Sequence, residues 1–312
     1  MPHPEMPNST MMMGFLLMGF SDVWELQAFH VVSFSLMYMM TLTGNFLIVI
    51  VTTMDKSLHT PMYFFLRNLS MLLAGYISVT VPNSCVNSLL DNNDISKAGC
   101  AAQVFIVVFF VYVELLFITV MARDCYVAIC QPLHYAVIMH PRVCVQMTLA
   151  SILSGLVYAG FHTANTFRLP FCHSNVIHQF FCDIPSLLKL SCSDTFSNEM
   201  TILDSALVIG GGCFIFIIRS YIHIFSTVLK FPSEADRVKV FSTCIPHILV
   251  VSIFLGSVFY VYLRPSANSA TIKDMALSIF YSIIPLPFNL IIYSLRNEQI
   301  KCAIRKIMKK IF

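Results

Sequence analysis

Two cysteines and two histidines lie close together in the chain, and these side chains suit either metal binding or disulfide formation. They are Cys172, His173, His178 and Cys182. A transition metal would take thiolate and imidazole groups as its ligands. The stretch lacks the CxxC spacing of a zinc knuckle. Disulfide formation is therefore favoured if this stretch lies in an oxidising compartment.

Motifs that would indicate catalysis are not found in the sequence. There is no HExxH, no GxSxG and no phosphate-binding loop. The run Gly210 to Gly212 is explained better by the close approach of two membrane helices than by phosphate binding. Glu114 is the one acidic residue deep inside an apolar stretch. It is interpreted either as a functional carboxylate or as a protonated, hydrogen-bonded structural residue. The sequence thus predicts neither an enzyme nor a cofactor or metal site.

The composition indicates a membrane protein. Of 312 residues, 57% are hydrophobic and 11% are charged, whereas soluble proteins have about 45–50% and 25%. A soluble domain of this size could not bury so much apolar surface, and disorder needs low hydrophobicity. The net charge of +3 is too small for a nucleic-acid-binding protein.

Seven apolar stretches are each long enough to cross a bilayer, which takes about 20 residues in a helix. They run approximately over residues 28–51, 61–82, 101–122, 143–163, 200–223, 239–262 and 272–294. The fold class that follows is an all-α membrane protein with a bundle of seven transmembrane helices. We expect one domain over 1–312, with an extracellular tail at 1–27, the bundle at 28–294 and a cytoplasmic tail at 295–312.

The distribution of lysine and arginine predicts the orientation. With the N-terminus outside, 14 of the 19 basic residues lie on the inner side and 5 on the outer side, as the positive-inside rule requires. An odd number of spans then places the C-terminus in the cytoplasm. Asn8-Ser9-Thr10 is a glycosylation acceptor, and the outside tail is where Asn8 could be used.

The eleven cysteines divide by their predicted location. Four lie on the oxidising outer side, where three pairings are open to them: Cys100, Cys172, Cys182 and Cys192. Seven lie in spans or on the inner side and are expected to be free thiols: Cys85, Cys125, Cys130, Cys144, Cys213, Cys244 and Cys302. Four histidines near inner loops are expected to cap or pack: His59, His134, His140 and His247.

The end of the chain predicts a short amphipathic helix. Four isoleucines share one helical face, at 300, 304, 307 and 311, and five basic residues occupy the rest. Such a helix lies on the anionic inner leaflet. Cys302 beside it is either an acylation site or an ordinary cytosolic cysteine.

Several segments carry a more specific resemblance. They are 58–66 (LHTPMYFFL), 121–135 (MARDCYVAICQPLHY), Ser220-Tyr221, 239–244 (KVFSTC), 289–297 (NLIIYSLRN) and Gly44-Asn45. Together they resemble the odorant (olfactory) receptor family of rhodopsin-like G-protein-coupled receptors. The resemblance covers nearly the whole chain.

The resemblance implies a multi-pass plasma-membrane receptor that is gated by a small volatile odorant and couples to a stimulatory heterotrimeric G protein. It implies a Cys100–Cys182 bond and a second bond, Cys172–Cys192. The family's odorant cavity lies among spans three, five, six and seven. Carried over, its wall includes Val107, Val108, Val111, Tyr112, Ser205, Ile209, Phe259 and Tyr262. The hydroxyls of Tyr112, Ser205 and Tyr262 could orient a ligand.

Three positions depart from the family pattern in the signalling half. The family's Asp-Arg-Tyr is Asp124-Cys125-Tyr126 here, and cysteine cannot make the arginine's charge-assisted bonds. Leu73 stands where the second span normally has an aspartate, and Leu290 replaces a proline. The positions that carry the switch are Asp124, Cys125, Tyr126, Tyr221, Asn289 and Tyr293.

Two functions therefore compete. The first is an odorant receptor with the odorant, the G protein and membrane lipids as partners, and with no nucleic acid. The second is a receptor-shaped protein that binds a ligand but couples weakly or not at all, because of Cys125. A transporter or channel is disfavoured, since the chain has one deep acid and no repeated halves.

Overall fold

Long apolar helices form the bulk of the computed structural model, which describes residues 14–17, 24–89, 94–172, 175–177, 179, 181–263 and 298–311. Six described helices are long and apolar enough to cross a membrane. In chain order we call them the first to sixth spans: Trp24–Met54, Pro61–Leu89, Lys97–Cys130, Pro141–Phe167, Phe196–Val228 and Glu234–Leu263. The expected seventh span, 272–294, lies outside the described residues.

The helices extend beyond the apolar stretches that predicted them. The third span ends at Cys130, eight residues after the expected end at 122, because hydropathy detects only the part inside hydrocarbon. Pro132 stops the helix there, since its ring cannot continue the hydrogen-bonded ladder. At the start of the fourth span, His140 caps the helix by accepting a bond from the backbone N–H of Arg142 at 3.3 Å.

The third span lies at the centre of the bundle and contacts the second, fourth, fifth and sixth spans. Phe117 on this span and Phe65 on the second span are fully buried, with their rings edge to face at 6.3 Å. Side chains around this pair form the main apolar core. Because the third span is central, it contributes residues both to the predicted ligand cavity and to the predicted switch.

Glycines mark a close approach of helices at one place but not at the place expected. At Gly155 on the fourth span, an added Cβ would meet Cγ2 of Val113 at 2.6 Å, so only glycine lets the two spans pack this closely. At Gly210, Gly211 and Gly212 an added Cβ would meet none of the described residues within 4 Å. Among the described helices, the expectation of close packing at this run is therefore wrong.

A small sheet covers the outer end of the third span. It has three short strands, β1 (Gly14–Leu17), β2 (Asp94–Ser96) and β3 (Val176–Ile177), in the order β2-β1-β3. β1 pairs antiparallel with β2 and parallel with β3. The expected tail 1–27 thus contains a strand, and its last residues, from Trp24, already belong to the first span.

Apolar side chains anchor β1 to the bundle. Phe15 is 1% exposed, and its ring meets Phe171 edge to face at 5.4 Å. Phe15 and Leu17 belong to a second apolar core with Cys100, Val104 and Ile177. The strand at residues 14–17 is therefore packed onto the loops that carry β2 and β3.

The amphipathic helix expected at the end of the chain runs from Glu298 to Ile311. Ile300 and Ala303 are buried against the main core, while Cys302 is exposed. The ammonium of Lys306 lies 3.9 Å from the carboxylate of Asp55, in the connection between the first and second spans. Because Lys306 is largely exposed, this ion pair contributes little to stability.

Candidate functional site

Two disulfides hold the outer loops over the bundle. Cys100 is bonded to Cys182 and Cys172 to Cys192, with Cα atoms 5.5 and 5.7 Å apart. These are the pairings that the resemblance implies. The backbone N–H of Cys182 also donates to the side-chain oxygen of Gln103 at 2.9 Å, which fixes the second loop on the third span.

The alternative of a metal at Cys172, His173, His178 and Cys182 does not agree with these bonds. Both cysteines are in disulfides, so neither thiolate is left for a metal. His173 and His178 lie outside the described residues. No group of three or more His, Cys, Asp or Glu side chains in the described part of the chain could hold a metal ion.

One residue on the inward face of the third span is not covered. Val104, Val111, Ile118 and Cys125 are spaced by seven residues, which is close to two helical turns, so they share a face. Val104 and Ile118 are 1% exposed and Cys125 is 6% exposed, but Val111 is 38% exposed. Val111 is therefore the accessible position on this face, between buried residues one heptad before it and one heptad after it.

The neighbouring wall residues of the third span divide between two cores. Val108 packs against the outer core beneath the sheet, and Val107 and Tyr112 pack against the main core. The ring of Tyr112 stacks on Tyr158 of the fourth span at 4.5 Å. These contacts place Val111 at the boundary between the outer core and the main core.

A polar cluster joins the fourth and fifth spans beside this wall. The hydroxyl of Ser205 lies 3.0 Å from the hydroxyl of Tyr158 and 3.2 Å from Nε2 of His162. It also donates to the carbonyl of Ile202 at 2.9 Å. Ser205, expected to orient a ligand, thus already has three protein partners.

The fifth span changes its helical form directly after Ser205. Residues Ala206–Gly210 form a π-helical turn, a form that is frequent at functional sites. Ile209 lies within this turn and is half-buried. Phe259 and Tyr262 lie near the end of the sixth span, and their side chains are outside the described part of the structure.

Near the C-terminal end of the third span, Asp124 is bonded to a residue that the sequence did not predict as its partner. Asp124 is buried, and its carboxylate accepts a 2.9 Å bond from the hydroxyl of Tyr135. Tyr135 begins a short helix, Tyr135–Ile138, in the connection between the third and fourth spans. Burial, together with the Asp124 carboxylate, raises the pKa of Tyr135 well above its ordinary value. Tyr135 therefore remains a protonated donor at physiological pH.

Cys125 lies beside a chain of hydrogen bonds that joins the third, fifth and sixth spans. Its thiol is buried and lies near the Tyr221 hydroxyl. The Tyr221 hydroxyl lies 2.5 Å from Nδ1 of His247, whose Nε2 lies 3.0 Å from the carbonyl of Ile118. A carbonyl only accepts, so Nε2 carries the proton and Nδ1 of the neutral ring accepts from Tyr221.

The remaining switch residues are not gathered at this chain of bonds. Tyr126 lies on the side of the third span that faces the fifth, and its hydroxyl accepts a 3.5 Å bond from Gln131. Arg123 is exposed, so it does not enter the bundle in place of the missing arginine. Asn289, Tyr293 and the glycosylation acceptor Asn8 lie outside the described residues.

Comparison with protein families identifies the chain. The family model "Olfactory receptor" matches residues 34–310. The chain belongs to the olfactory receptor family. It is 74% identical over 307 residues to human olfactory receptor 14C36, covering 98% of each chain. It is 49% identical to human olfactory receptor 14A16 over 304 residues, covering 97% of this chain and 98% of the other.

Comparison with solved structures gives the fold of this receptor. Squid rhodopsin aligns with a TM-score of 0.73 at 18% identity, over 93% of this chain and 88% of rhodopsin. The expected all-α seven-helix membrane fold is confirmed, as is the expectation of a receptor rather than an enzyme. An olfactory receptor with several membrane-crossing helices is a multi-pass membrane protein.

Four residues that make hydrogen bonds at the ligand wall or at the switch of this receptor were not predicted as site residues. They are Tyr158, His162, Tyr135 and His247. Tyr158 and His162 are polar and lie about one turn apart within the apolar fourth span, and this spacing was the available signal. His247 was expected only to cap or pack. No local pattern marks Tyr135, because its partner lies on another element.

The position of the missing second-span aspartate is filled by packing in this receptor. Leu73 is buried in the main core. Asn45 on the first span donates to the backbone carbonyl of Thr41 on its own helix at 2.9 Å. This bond satisfies part of the hydrogen-bonding capacity of the buried amide.

Proposed function

We propose that this receptor binds a small, mostly apolar volatile ligand beside Val111 and signals only weakly through a stimulatory heterotrimeric G protein. The exposure of Val111 on an otherwise buried helix face carries the proposal. An apolar cavity between two packed layers suits an apolar ligand, because burial of both surfaces removes them from water.

The ligand is expected to bring a single hydrogen-bonding group. Ser205 has its hydroxyl engaged with Tyr158, His162 and Ile202. Tyr112 lies one residue from Val111, and no described residue forms a hydrogen bond with its hydroxyl. A ligand carbonyl, ether or hydroxyl would find a donor at Tyr112.

Weak coupling is supported by the state of the switch residues. The buried carboxylate of Asp124 is held by Tyr135, and Cys125 offers a thiol where the family has a guanidinium. A thiol supplies no charge and at most a weak bond. The loss of a charge-assisted bond, about 1.5–3 kcal/mol, corresponds to coupling that is about 10- to 150-fold weaker. A receptor that binds ligand without signalling is the second candidate, and Cys125 is the residue that favours it.

The proposed orientation places the N-terminal tail outside, at the plasma membrane, and the C-terminus in the cytoplasm. β1 of the tail pairs with β2 and β3 beside the disulfide Cys100–Cys182, and disulfides persist in an oxidising compartment. Asn8 precedes β1 in this outside tail and is proposed to carry a glycan. Replacing Asn8 with Gln should remove a glycosidase-sensitive shift in mass.

The proposal is tested by measuring cyclic AMP in cells that display equal surface levels of wild-type receptor and of Cys125→Arg. A panel of volatile compounds provides the ligands, and direct binding to purified receptor provides the second readout. We expect binding of at least one compound, a weak wild-type response and a larger variant response. Binding with no response from either form would favour the second candidate, and an absence of binding across a broad panel would contradict the cavity.

A further inference from the structure

The cytoplasmic halves of the third and fifth spans meet along a seam of known register. Cys130 lies against Thr227, with sulfur and hydroxyl 3.4 Å apart. One turn outward, the ring of Tyr126 lies 6.0 Å from the ring of His223. Both spans cross the membrane in the same direction. Moving one helical turn away from Cys130 on the third span and one turn away from Thr227 on the fifth span therefore leads to residues at the same depth.

The next outward turn of this seam brings two arginines to the same level. Arg123 is seven residues before Cys130, nearly two full turns, and Arg219 is four residues before His223. Both arginines and His223 are exposed. The ion pair among the described residues is Lys306–Asp55, so neither arginine is neutralised by a described acid. Asp124, next to Arg123, is turned into the bundle and bonded to Tyr135.

The two arginines lie close to the inner boundary of the hydrocarbon core, within reach of the inner headgroups. The third span has 34 residues, about 51 Å of helix, whereas the hydrocarbon core is about 30 Å thick. About 10 Å of helix at each end therefore lies beyond the hydrocarbon. Arg123 is about 10 Å from the helix end at Cys130, and Arg219 is about 13 Å from the end at Val228. A long arginine side chain spans the small remaining distance by extending toward the interface.

We propose that the lipid-facing side of this seam, defined by Arg123, Arg219 and His223, binds the headgroup of an anionic phospholipid of the inner leaflet. A lone arginine near a helix end needs no partner beyond water. Two like charges at one level on adjacent helices repel, and an anion between them converts that repulsion into two charge-assisted bonds. The imidazole of His223 supplies a third donor toward a phosphate, and the exposed flank of the spans accommodates the acyl chains.

Binding is measured by native mass spectrometry of the purified full-length receptor, titrated with phosphatidylinositol 4,5-bisphosphate or with phosphatidylcholine. The double variant Arg123→Gln/Arg219→Gln is expected to bind the anionic lipid about thirtyfold more weakly, which is the loss of two charges at the usual strength. Arg123→Lys/Arg219→Lys keeps the charge and should retain most of the affinity. Phosphatidylcholine binding should not change.

The matched control is Lys56→Gln/Arg142→Gln, which removes the same net charge from exposed positions on the connection after the first span and at the start of the fourth span. If both Gln pairs weaken lipid binding equally, the attraction is that of the whole cytoplasmic surface and the proposal is wrong. Soluble inositol trisphosphate is added as a competitor. If it displaces the lipid at equal concentration, the site binds a free anion and the assignment to a lipid is overturned. A melting temperature for each variant ensures that only folded receptor is compared.

Discussion

Tyr135, in the loop between the third and fourth spans, donates a 2.9 Å hydrogen bond to the buried carboxylate of Asp124 on the third span. The bond joins the loop to the central helix of the bundle at the point where the family has its signalling switch. Because Cys125 cannot pair with Asp124, the loop tyrosine is the partner that satisfies this acid. The position of the loop and the state of the switch are thereby coupled in this receptor.

We expect Tyr135→Phe to destabilise the receptor. The substitution leaves the Asp124 carboxylate buried without its donor, and a bond to a charged group is worth about 1.5–3 kcal/mol of the free energy of unfolding. Thermal melting of purified receptor in one detergent measures the loss. Tyr126→Phe is the control, since the Tyr126 hydroxyl makes only a 3.5 Å contact with Gln131. Equal melting temperatures for the two variants would show that the Asp124 bond is not needed for stability.

Cys125→Arg should increase the cyclic AMP response at equal surface level. The guanidinium restores a charge-assisted bond, and the upper bound of the gain is about 10- to 150-fold in coupling. The gain should be partial, because Tyr221 and His247 are already bonded to each other and Leu73 remains. Cys125→Ser, which adds no charge, serves as the control. A wild-type response as large as that of Cys125→Arg would mean that the receptor couples through other contacts.

Filling the space beside Val111 should change which ligands act. Val111→Phe occupies the proposed cavity, and each lost methylene contact costs about 0.8 kcal/mol, or about fourfold in affinity. The measurement is the rank order of a ligand panel at constant surface level. Val157→Phe is the matched control, since Val157 on the fourth span is 74% exposed. An unchanged rank order in Val111→Phe would place the ligand elsewhere.

Removing the anchor of the N-terminal strand should reduce both thermal stability and delivery to the cell surface. Phe15 is fully buried, and truncating a buried phenylalanine to alanine costs about 3–5 kcal/mol. Leu16→Ala, at a half-buried neighbouring position, is expected to cost less. Gly14→Ala should act like Phe15→Ala, because a Cβ at Gly14 would lie 2.7 Å from the carbonyl oxygen of Ile95. If Phe15→Ala matched Leu16→Ala in both measurements, the strand would not anchor the outer loops.

The sequence by itself was sufficient for the features that depend on neighbouring residues. The stretch predicted at 143–163 lies within the fourth span, Pro141–Phe167, since an apolar segment must close its own hydrogen bonds in lipid. The isoleucine face of the tail predicted the helix Glu298–Ile311, whose Ile300 is buried. The family motifs were also legible, because each is a short run of consecutive residues.

Tertiary structure decided which distant residues meet. Four outer cysteines allowed three pairings, and the placement of the second loop selected Cys100–Cys182 and Cys172–Cys192. The three glycines at 210–212 looked like a packing site, yet it is Gly155 that meets a neighbouring span. Tyr135, His247 and Phe15 likewise acquired their roles from partners that are far away in sequence. Hydropathy and spacing describe each helix separately, whereas these contacts depend on how the helices are rotated and which ones are adjacent.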